Sequence, residues 1–460
     1  MLFRRAKFPN LYVGQGETMK KKFLMLISAV LALMCLMSAC NNGGDVLETI
    51  ATEQSESYAL TDALIVNGVN ISDYKIVYDT RANVGTKAIY NYFNAKLKQL
   101  YGMELESEDS ISDGYQITIG VKGTDASVLD FYASCGGGMI GFDGKRIYLL
   151  ATDKAGLYSV VDAFFAKAVA DGERSQISIS ENEKAAITTE SLTVMSYNVL
   201  YDMYYDEEKQ KPRNMELLAN SIKEQCPDVF GTQETQDEHM EAILAAMPNY
   251  DCYKGLKLKG GAEMSNMIFW NADKYKLVSK GFQYLTDTPL QESKIPESNS
   301  YRGFSYVVLE SLATQKQFLF VDVHITYRNA DGATNDDTVR VKQGQYLLKF
   351  LESKKYETMP IILVGDFNSN PDKPSIQNIE NSKRLDRAAL VAKTKGDLEG
   401  TTTVKEHTLR DGYKFDHIFV TSDRIVTEYF TTINNKIDNA YGSLRYPSDH
   451  LPVLAKVVIY

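Results

Sequence analysis

Between residue 192 and the C-terminus the chain repeats one arrangement six times: a short apolar run of strand length adjoins a polar side chain able to bind a metal or a phosphate. The run 192–197 ends in Asn198, and 229–232 ends in Gln233 and Glu234. The run 318–323 ends in His324, and 361–364 delivers Gly365, Asp366, Phe367 and Asn368. Asp416 opens the run 418–421, and Asp449 and His450 precede 453–459. A sheet fixes side chains rigidly at its strand ends while the adjoining loops leave room for a ligand. Taken singly, each has an ordinary reading: Gly365 and Asp366 as a turn, Glu234 as a solvated residue at a helix start. Six in one stretch point to a common site. Three of the five histidines, His324, His417 and His450, fall in the set, whereas His239 on a helix and His407 in a polar loop read as incidental. Helices are expected over 213–225 and 339–351.

Charge limits how such a site holds its ligand. The net charge is −10; residues 190–460 carry 32 Lys and Arg against 38 Asp and Glu, and residues 41–189 carry 12 against 21. No basic face or stripe of the kind that grips polyanions is visible. A phosphate substrate must therefore be held locally, by a metal and a few placed side chains. No Cys/His set suits zinc. Cys135, Cys226 and Cys252 are odd in number and lack metal spacing, so they read as free thiols.

At 460 residues the chain exceeds what one core usually serves, so two domains plus leader segments are expected. Met19 is followed by Lys20 to Lys22, an apolar run over 23–37, then Ser38, Ala39 and Cys40. That order is a signal peptide with a basic start and an apolar segment short of the roughly 20 residues that span a bilayer. Cys40 behind small residues is the expected lipidation site, which places the protein outside the cytoplasm on a lipid anchor. Residues 1–40 are thus leader, with 1–18 preceding a better start at Met19, and the polar stretch 41–58 a flexible stalk. A small α/β domain is expected over 59–182: a strand at 74–78, a helix over 86–101 presenting Tyr92, Phe93, Leu97 and Leu100, a strand at 115–121, a hairpin over 139–150 and a helix over 157–169. Its element order resembles the small α/β domain that precedes the catalytic domain in several glycan-degrading enzymes, and a spacer or docking role is the expectation for it. A linker over 180–191 leads on.

The joint pattern of SYNV at 196–199, PDVFGTQE at 227–234, DVHIT at 322–326, GDFNSNP at 365–371, FDHIFV at 415–420 and SDHLPV at 448–453 resembles the endonuclease/exonuclease/phosphatase superfamily. That group includes deoxyribonuclease I, abasic-site endonucleases, bacterial sphingomyelinases and inositol polyphosphate phosphatases. The resemblance covers residues 190–460 and implies a four-layer α-β-β-α sandwich, two packed mixed sheets flanked by helices, with the site at one edge. It also implies a hydrolase of phosphoesters. Such chemistry needs a nucleophilic water, neutralised phosphoryl charge and a stabilised leaving oxygen. Glu234, a hard oxygen ligand, suits Mg²⁺ or Mn²⁺, with Asn198 and Asp449 completing or flanking the shell. His450 is a candidate base or phosphate-polarising group, with Asp416 as the carboxylate partner of its other nitrogen. Asp366 would orient or deprotonate the water, Asn368 donate to a phosphoryl oxygen, and His324 contact the phosphate or protonate the leaving group. The resemblance leaves open whether Asp366 or His450 is the base. Arg340, Tyr327 and Arg302 are candidate substrate contacts. Gln236 stands where deoxyribonuclease I-like members carry an Arg, which argues against a double-strand nuclease but leaves the chemistry intact.

The leading substrate expectation is nucleic acid cleaved as a phosphodiester. The others are a phospholipid head group, for which the polar 281–302 segment supplies no inserting hairpin, an inositol or sugar phosphate, and, from a different class, a surface protein that binds without catalysis. A monomer with no protein partner is expected.

Overall fold

Alternation within single strands builds the layers. In the strand Glu190–Asn198, Leu192 and Val194 join one apolar cluster while Met195 and Tyr197 join another on the opposite face. Successive side chains leave a strand on opposite sides, so a strand apolar on both faces must be covered twice. The computed structural model describes residues 64–78, 83–120, 126–135, 137–171, 174–179, 181–201, 215–258, 264–334, 336–382, 384–398, 400–404, 408–438 and 444–460. The expected signal peptide, Cys40 and the stalk lie outside them. Residues Ala59–Tyr460 form one compact unit.

The first sheet of the C-terminal part has seven strands, running in space Tyr250–Tyr253, Ser265–Asn271, Val229–Thr235, Glu190–Asn198, Val453–Ile459, Ile425–Thr432 and Thr394–Lys395. The second has six: Tyr275–Tyr284, Gly303–Ser311, Gln317–His324, Ile361–Asp366, Asp416–Thr421 and Leu385–Arg387. Both mix parallel and antiparallel pairs. Leu192, Val194, Ile268, Phe318, Ile362, Ile418 and Val457 fill the space between them. On the outer face of the first sheet, the helices Met215–Lys223 and Asp237–Ala246 bring Leu218, Ile222 and Ile243 against Met195, Tyr197 and Phe230. On that of the second, Thr338–Leu351 and Pro374–Glu380 bring Leu347, Leu351, Ile376 and Ile379 against Leu319, Val321 and Leu363. Each fully buried aliphatic side chain contributes about 1.5–3 kcal/mol, so three such interfaces dominate the stability. The architecture is the expected α-β-β-α sandwich.

The N-terminal part holds a four-stranded and a six-stranded sheet over its own apolar cluster. The expected first helix is Asn83–Tyr101, but Leu100 is 39% exposed and the buried stripe is Ile89, Tyr92, Phe93, Leu97 and Tyr101. The expected hairpin is the antiparallel pair Gly138–Phe142 and Arg146–Ala151. The helix Ala126–Cys135 was not expected. The stretch 180–191 is only partly a linker: Glu183–Ala185 extends the six-stranded sheet by pairing with Gly138–Phe142, and Glu190 already belongs to the sandwich.

A charged, aromatic contact joins the two parts. Arg424 lies between the rings of Tyr92 and Tyr158, 4.5 and 4.3 Å from their centroids, and donates to the carbonyls of Thr358 and Tyr460. Tyr158 donates to Asp423 at 2.6 Å, Lys154 pairs with Asp423 at 3.4 Å, and Asp162 takes Lys96 at 2.7 Å and the buried Lys316 at 3.5 Å. Asp423 and Arg424 sit in the turn beyond Thr421, at the opposite end of the strand from Asp416, whose five steps span about 17 Å at about 3.3 Å per residue. Arg424→Ala strands the carbonyls and removes the cation from both rings, so it is expected to cost about 3 kcal/mol in a denaturant titration while turnover stays within about twofold of wild type. A collapse of turnover with the fold intact would contradict this separation.

Candidate active site

The polar strand ends of both sheets meet at one edge of the sandwich. Asn198 closes its strand in the first sheet; its amide NH₂ donates to Glu234 Oε1 at 3.2 Å and to Asp366 Oδ2, from the second sheet, at 3.1 Å, while its side-chain Oδ1 accepts from the Leu200 N–H. Glu234 has φ +57° at a register shift between Thr232 and Thr235. That left-handed conformation is one a side-chain-bearing residue adopts at a cost. The carboxylate also accepts from the Tyr201 N–H at 3.3 Å. Asp366 follows Gly365, whose Cβ, had it one, would lie 2.0 Å from the Val323 carbonyl oxygen; only glycine lets the two parallel strands run this close.

Around Asp366 the second sheet assembles the rest. The Asn368 N–H donates to Asp366 Oδ1 at 2.8 Å, and the Asn368 amide reaches the Ile325 carbonyl at 3.0 Å and His324 Nε2 at 3.3 Å. His324 Nε2 lies 3.5 Å from Asp366 and 4.0 Å from Glu234. His450 Nδ1 sits 2.8 Å from Asp416 Oδ2, and its Nε2 lies 3.8 Å from Asp366. Ser448 fixes this corner, donating to the Asn198 carbonyl at 2.7 Å and accepting from the His450 N–H. Asn198, Glu234, His324, Asp366, Asn368, Asp416 and His450 are therefore joined by contacts of 4.0 Å or less, and Asp449 is close enough to raise the Glu234 pKa by its charge.

Burial sets the protonation states. It pushes Asp366 up to about 7, with His450 opposing and Asp416 adding. It also raises Glu234, with Asp449 adding and Arg302 and His450 opposing. His324 is held well below its ordinary value by burial, then by Arg302 and His450, so it is neutral. Burial draws His450 down, but Asp416 and Asp366 outweigh it and raise it well above the usual value, leaving an imidazolium between two carboxylates.

The substrate-contact candidates divide. Arg302 is buried in the cluster with Nη1 3.4 Å from His324 Nδ1. Arg340 turns its donors to Asp337 and to the carbonyls of Tyr327, Thr334 and Asp336, so it clamps the chain at 327–334 and 336–337, and among the described residues these hydrogen bonds do not reach the cluster. Tyr327 is 39% exposed on that loop, beside Arg328. His417 is buried away from the cluster, its Nε2 at 2.9 Å from the Ser369 carbonyl oxygen and its pKa lowered to about 3 by burial.

Two groups escaped the sequence reading. Asp322 is buried between the sheets, accepts from Gln233, which also donates to Ser196, and is raised well above the carboxylate range by burial. A Cβ on Gly231 would lie 2.7 Å from the Asp322 carboxyl carbon. A polar residue on the inward face of an apolar run was the available signal. The second is the segment 401–403. Thr401 Oγ1 accepts from the N–H groups of Phe415 and Asp416, and the Thr403 N–H donates to the Asp449 carbonyl. No strand-length apolar run marks it.

The site suits a hard cation. Four carboxylates, Glu234, Asp366, Asp416 and Asp449, face two cationic groups, Arg302 and His450, so the ionised cluster has two negative charges in excess. Asp449 Oδ1 is buried without a hydrogen-bond partner. Glu234 and Asp449 are the residues that would hold Mg²⁺ or Mn²⁺, since Asn198 presents its NH₂ rather than its oxygen. Ligand atoms of Asp366, Asp416 and His450 also lie within 4.8 Å of one another, but the His450 nitrogen facing Asp416 is already engaged. Because Glu234 and Asp366 keep protons unusually high in pH, a cation must displace them in acid. The rise in melting temperature on adding either ion should therefore grow from about pH 5 to about pH 8, and Glu234→Gln should remove most of it. A melting temperature indifferent to both ions across that range rules the site out.

The sequence profile of the Endonuclease/Exonuclease/phosphatase family matches residues 195–450. The chain is 23% identical over 219 residues to carbon catabolite repressor protein 4 homolog 3 of Arabidopsis thaliana, covering 44% of this chain and 46% of the relative. It is 26% identical over 194 residues to nocturnin of Xenopus laevis, covering 41% and 47%. It thus spans under half the length of these curated relatives. A solved endonuclease/exonuclease/phosphatase family protein of Bacteroides thetaiotaomicron superposes with a TM-score of 0.53 at 24% identity, covering 59% of this chain and 99% of that one. The mannosyl-6-phosphatase of the same organism does so with 0.51 at 25% identity, covering 58% and 99%. With its profile match running from the first sheet's Met195 to His450, over more than half of the sequence, the chain belongs to the endonuclease/exonuclease/phosphatase family.

Proposed function

We propose that the chain is an Mg²⁺- or Mn²⁺-dependent phosphoester hydrolase acting outside the cytoplasm on a phosphorylated sugar. One observation carries the chemistry: Asp366, His450, His324 and Asn368 face one another across contacts of 3.8 Å or less, beside an orphaned Asp449 oxygen and the Glu234 carboxylate. When bound, the cation supplies charge neutralisation at the phosphoryl group.

The chain's own groups do the rest. Asp366, with its carboxyl near neutrality, accepts the proton of the attacking water, while Asn198 and Asn368 hold its oxygens in place. His450, kept protonated by Asp416, donates through Nε2 to a phosphoryl oxygen as charge grows there. Neutral His324 and Asn368 offer N–H groups on the adjoining side. Arg302 can only donate, so its contact at His324 Nδ1 places the His324 proton on Nε2 toward Asp366, and the Asn368 NH₂ then touches that nitrogen without donating to it.

Two facts support a sugar phosphate over a nucleic acid: the acidic balance of residues 190–460, and the likeness in sequence and fold to a mannosyl-6-phosphatase. The leader pattern ending in Cys40 supports export and lipid anchoring. The test is a panel of mannose 6-phosphate, other hexose phosphates, inositol phosphates, sphingomyelin, RNA and plasmid DNA with Mg²⁺. Sugar phosphates should be released fastest; cleavage of DNA or RNA with the sugar phosphates spared would replace this reading with a nuclease. His450→Ala and Asp366→Ala should each lower turnover about 10³-fold or more with the fold intact, and near-normal turnover in either would refute the assignment.

A further inference from the structure

The segment 401–403 lies between the two motifs that supply His450 and its carboxylate. The Leu451 N–H donates to the Thr401 carbonyl and the Thr403 N–H to the Asp449 carbonyl, which makes Thr402 and His450 an antiparallel pair with no hydrogen bond directly between them. In such a pair the two Cα atoms are about 4.5 Å apart and both side chains leave the same face as neighbours. The His450 ring leaves that face toward Asp416 and Asp366. Thr402 is held from the other side as well, because the Arg410 N–H donates to its carbonyl at 2.8 Å. With its main chain held on both sides, a β-branched threonine keeps few side-chain torsions, so its hydroxyl holds a set place on the His450 face.

That hydroxyl is 96% buried as a residue and has no hydrogen-bond partner. Leaving a hydroxyl dry and unpaired is unfavourable; of its two neighbours in sequence Thr401 is satisfied, while Thr403 is unpaired on the face away from His450. Thr401 and Thr403 point to the opposite face by the period-two alternation of a strand, and Thr401 is satisfied by the Phe415 and Asp416 N–H groups. Thr403 Oγ1 is also unpartnered, which makes it a control on the other face.

We infer that Thr402 is a substrate-binding residue whose hydroxyl donates to an anionic oxygen of the phosphoryl group held beside His450. The inference rests on the phosphoester reading of the site and adds to it a donor that neither the strand-end pattern nor the six quoted sequence motifs contain. It also explains why an unpaired polar group is kept beside this polar cluster: its partner arrives with the ligand.

The experiment uses the full chain with Mg²⁺ present, Thr402→Val, Thr402→Ser and Thr403→Val, and inorganic phosphate as probe in calorimetric titration and as competitive inhibitor of p-nitrophenyl phosphate hydrolysis. Valine keeps the shape and removes the hydroxyl. The expected result is about tenfold or more weaker phosphate binding in Thr402→Val, carried in KM and the inhibition constant, with a melting temperature equal to or above wild type because an unpaired buried hydroxyl has gone. Thr402→Ser should bind within about threefold of wild type, and Thr403→Val should bind as wild type does. Unchanged phosphate binding in Thr402→Val overturns the inference, as does weakened binding accompanied by an equal loss in Thr403→Val or by a fall in melting temperature that Thr402→Ser does not share. A wild-type chain that neither binds phosphate nor hydrolyses the ester fails the phosphoester reading itself, an outcome distinct from equal behaviour of wild type and Thr402→Val.

Discussion

The amide of Asn198 is the point where two sheets become one site. It donates to a carboxylate from its own sheet, Glu234, and to one from the facing sheet, Asp366, at 3.2 and 3.1 Å. A single NH₂ can serve both only if the two strand ends are held in fixed register, and the apolar layer between the sheets, from Leu192 to Val457, supplies that rigidity. Ser448 adds a second tie, from the His450 corner to the Asn198 carbonyl. Removing the amide would set two buried carboxylates against each other without a donor between them.

Like charges gathered in this way oppose folding, and the structure shows how the opposition is contained. Asp366 and Glu234 rise toward the neutral form, Arg302 is buried beside them, and His450 is held as a cation by Asp416. The backbone contributes strain as well: Glu234 and Asn368 both sit at positive φ, 57° and 49°. A site with residual negative charge, left-handed turns and orphaned oxygens is poorly arranged for stability and well arranged for a cation and a phosphoryl group. A cation would relieve the excess negative charge and the bare Asp449 oxygen, and a phosphoryl oxygen would accept from donors left unpaired.

The fold was legible where strand and helix periodicity is strong. The six polar strand ends, the helices around 213–225 and 339–351 and the hairpin at 139–150 all correspond to elements of the structure. What stayed hidden depends on pairing between distant segments. Leu100 fits the helical stripe in sequence, yet the neighbouring sheet covers Tyr101 instead. Glu183–Ala185 reads as linker because it is too short and polar to announce a strand, and it becomes one only by finding the edge of Gly138–Phe142. Arg340 carries the right chemistry for phosphate, but its position at the start of a helix brings it to the carbonyls of the 327–337 loop first. Asp322 and Thr402 were invisible for the same reason: their meaning comes from what lies opposite, Gln233 in one case and His450 in the other.

The same logic bears on the N-terminal part. Its contacts with the sandwich fall on Asp423, Arg424 and Lys316, at the strand ends away from Asp416 and His324. Arg424 is nearly enclosed, and its two tyrosines come from different helices of the N-terminal part. An interface built from a cation between two rings, with its two Nη groups donating to main-chain oxygens, favours one geometry. Contacts of this kind fix one body against another rather than let it close over a ligand, and they lie too far from the cluster for Tyr92 or Tyr158 to meet a phosphoryl group. The segments that adjoin the cluster are instead those that carry Arg302, Ile325 and Thr402, at the catalytic edge.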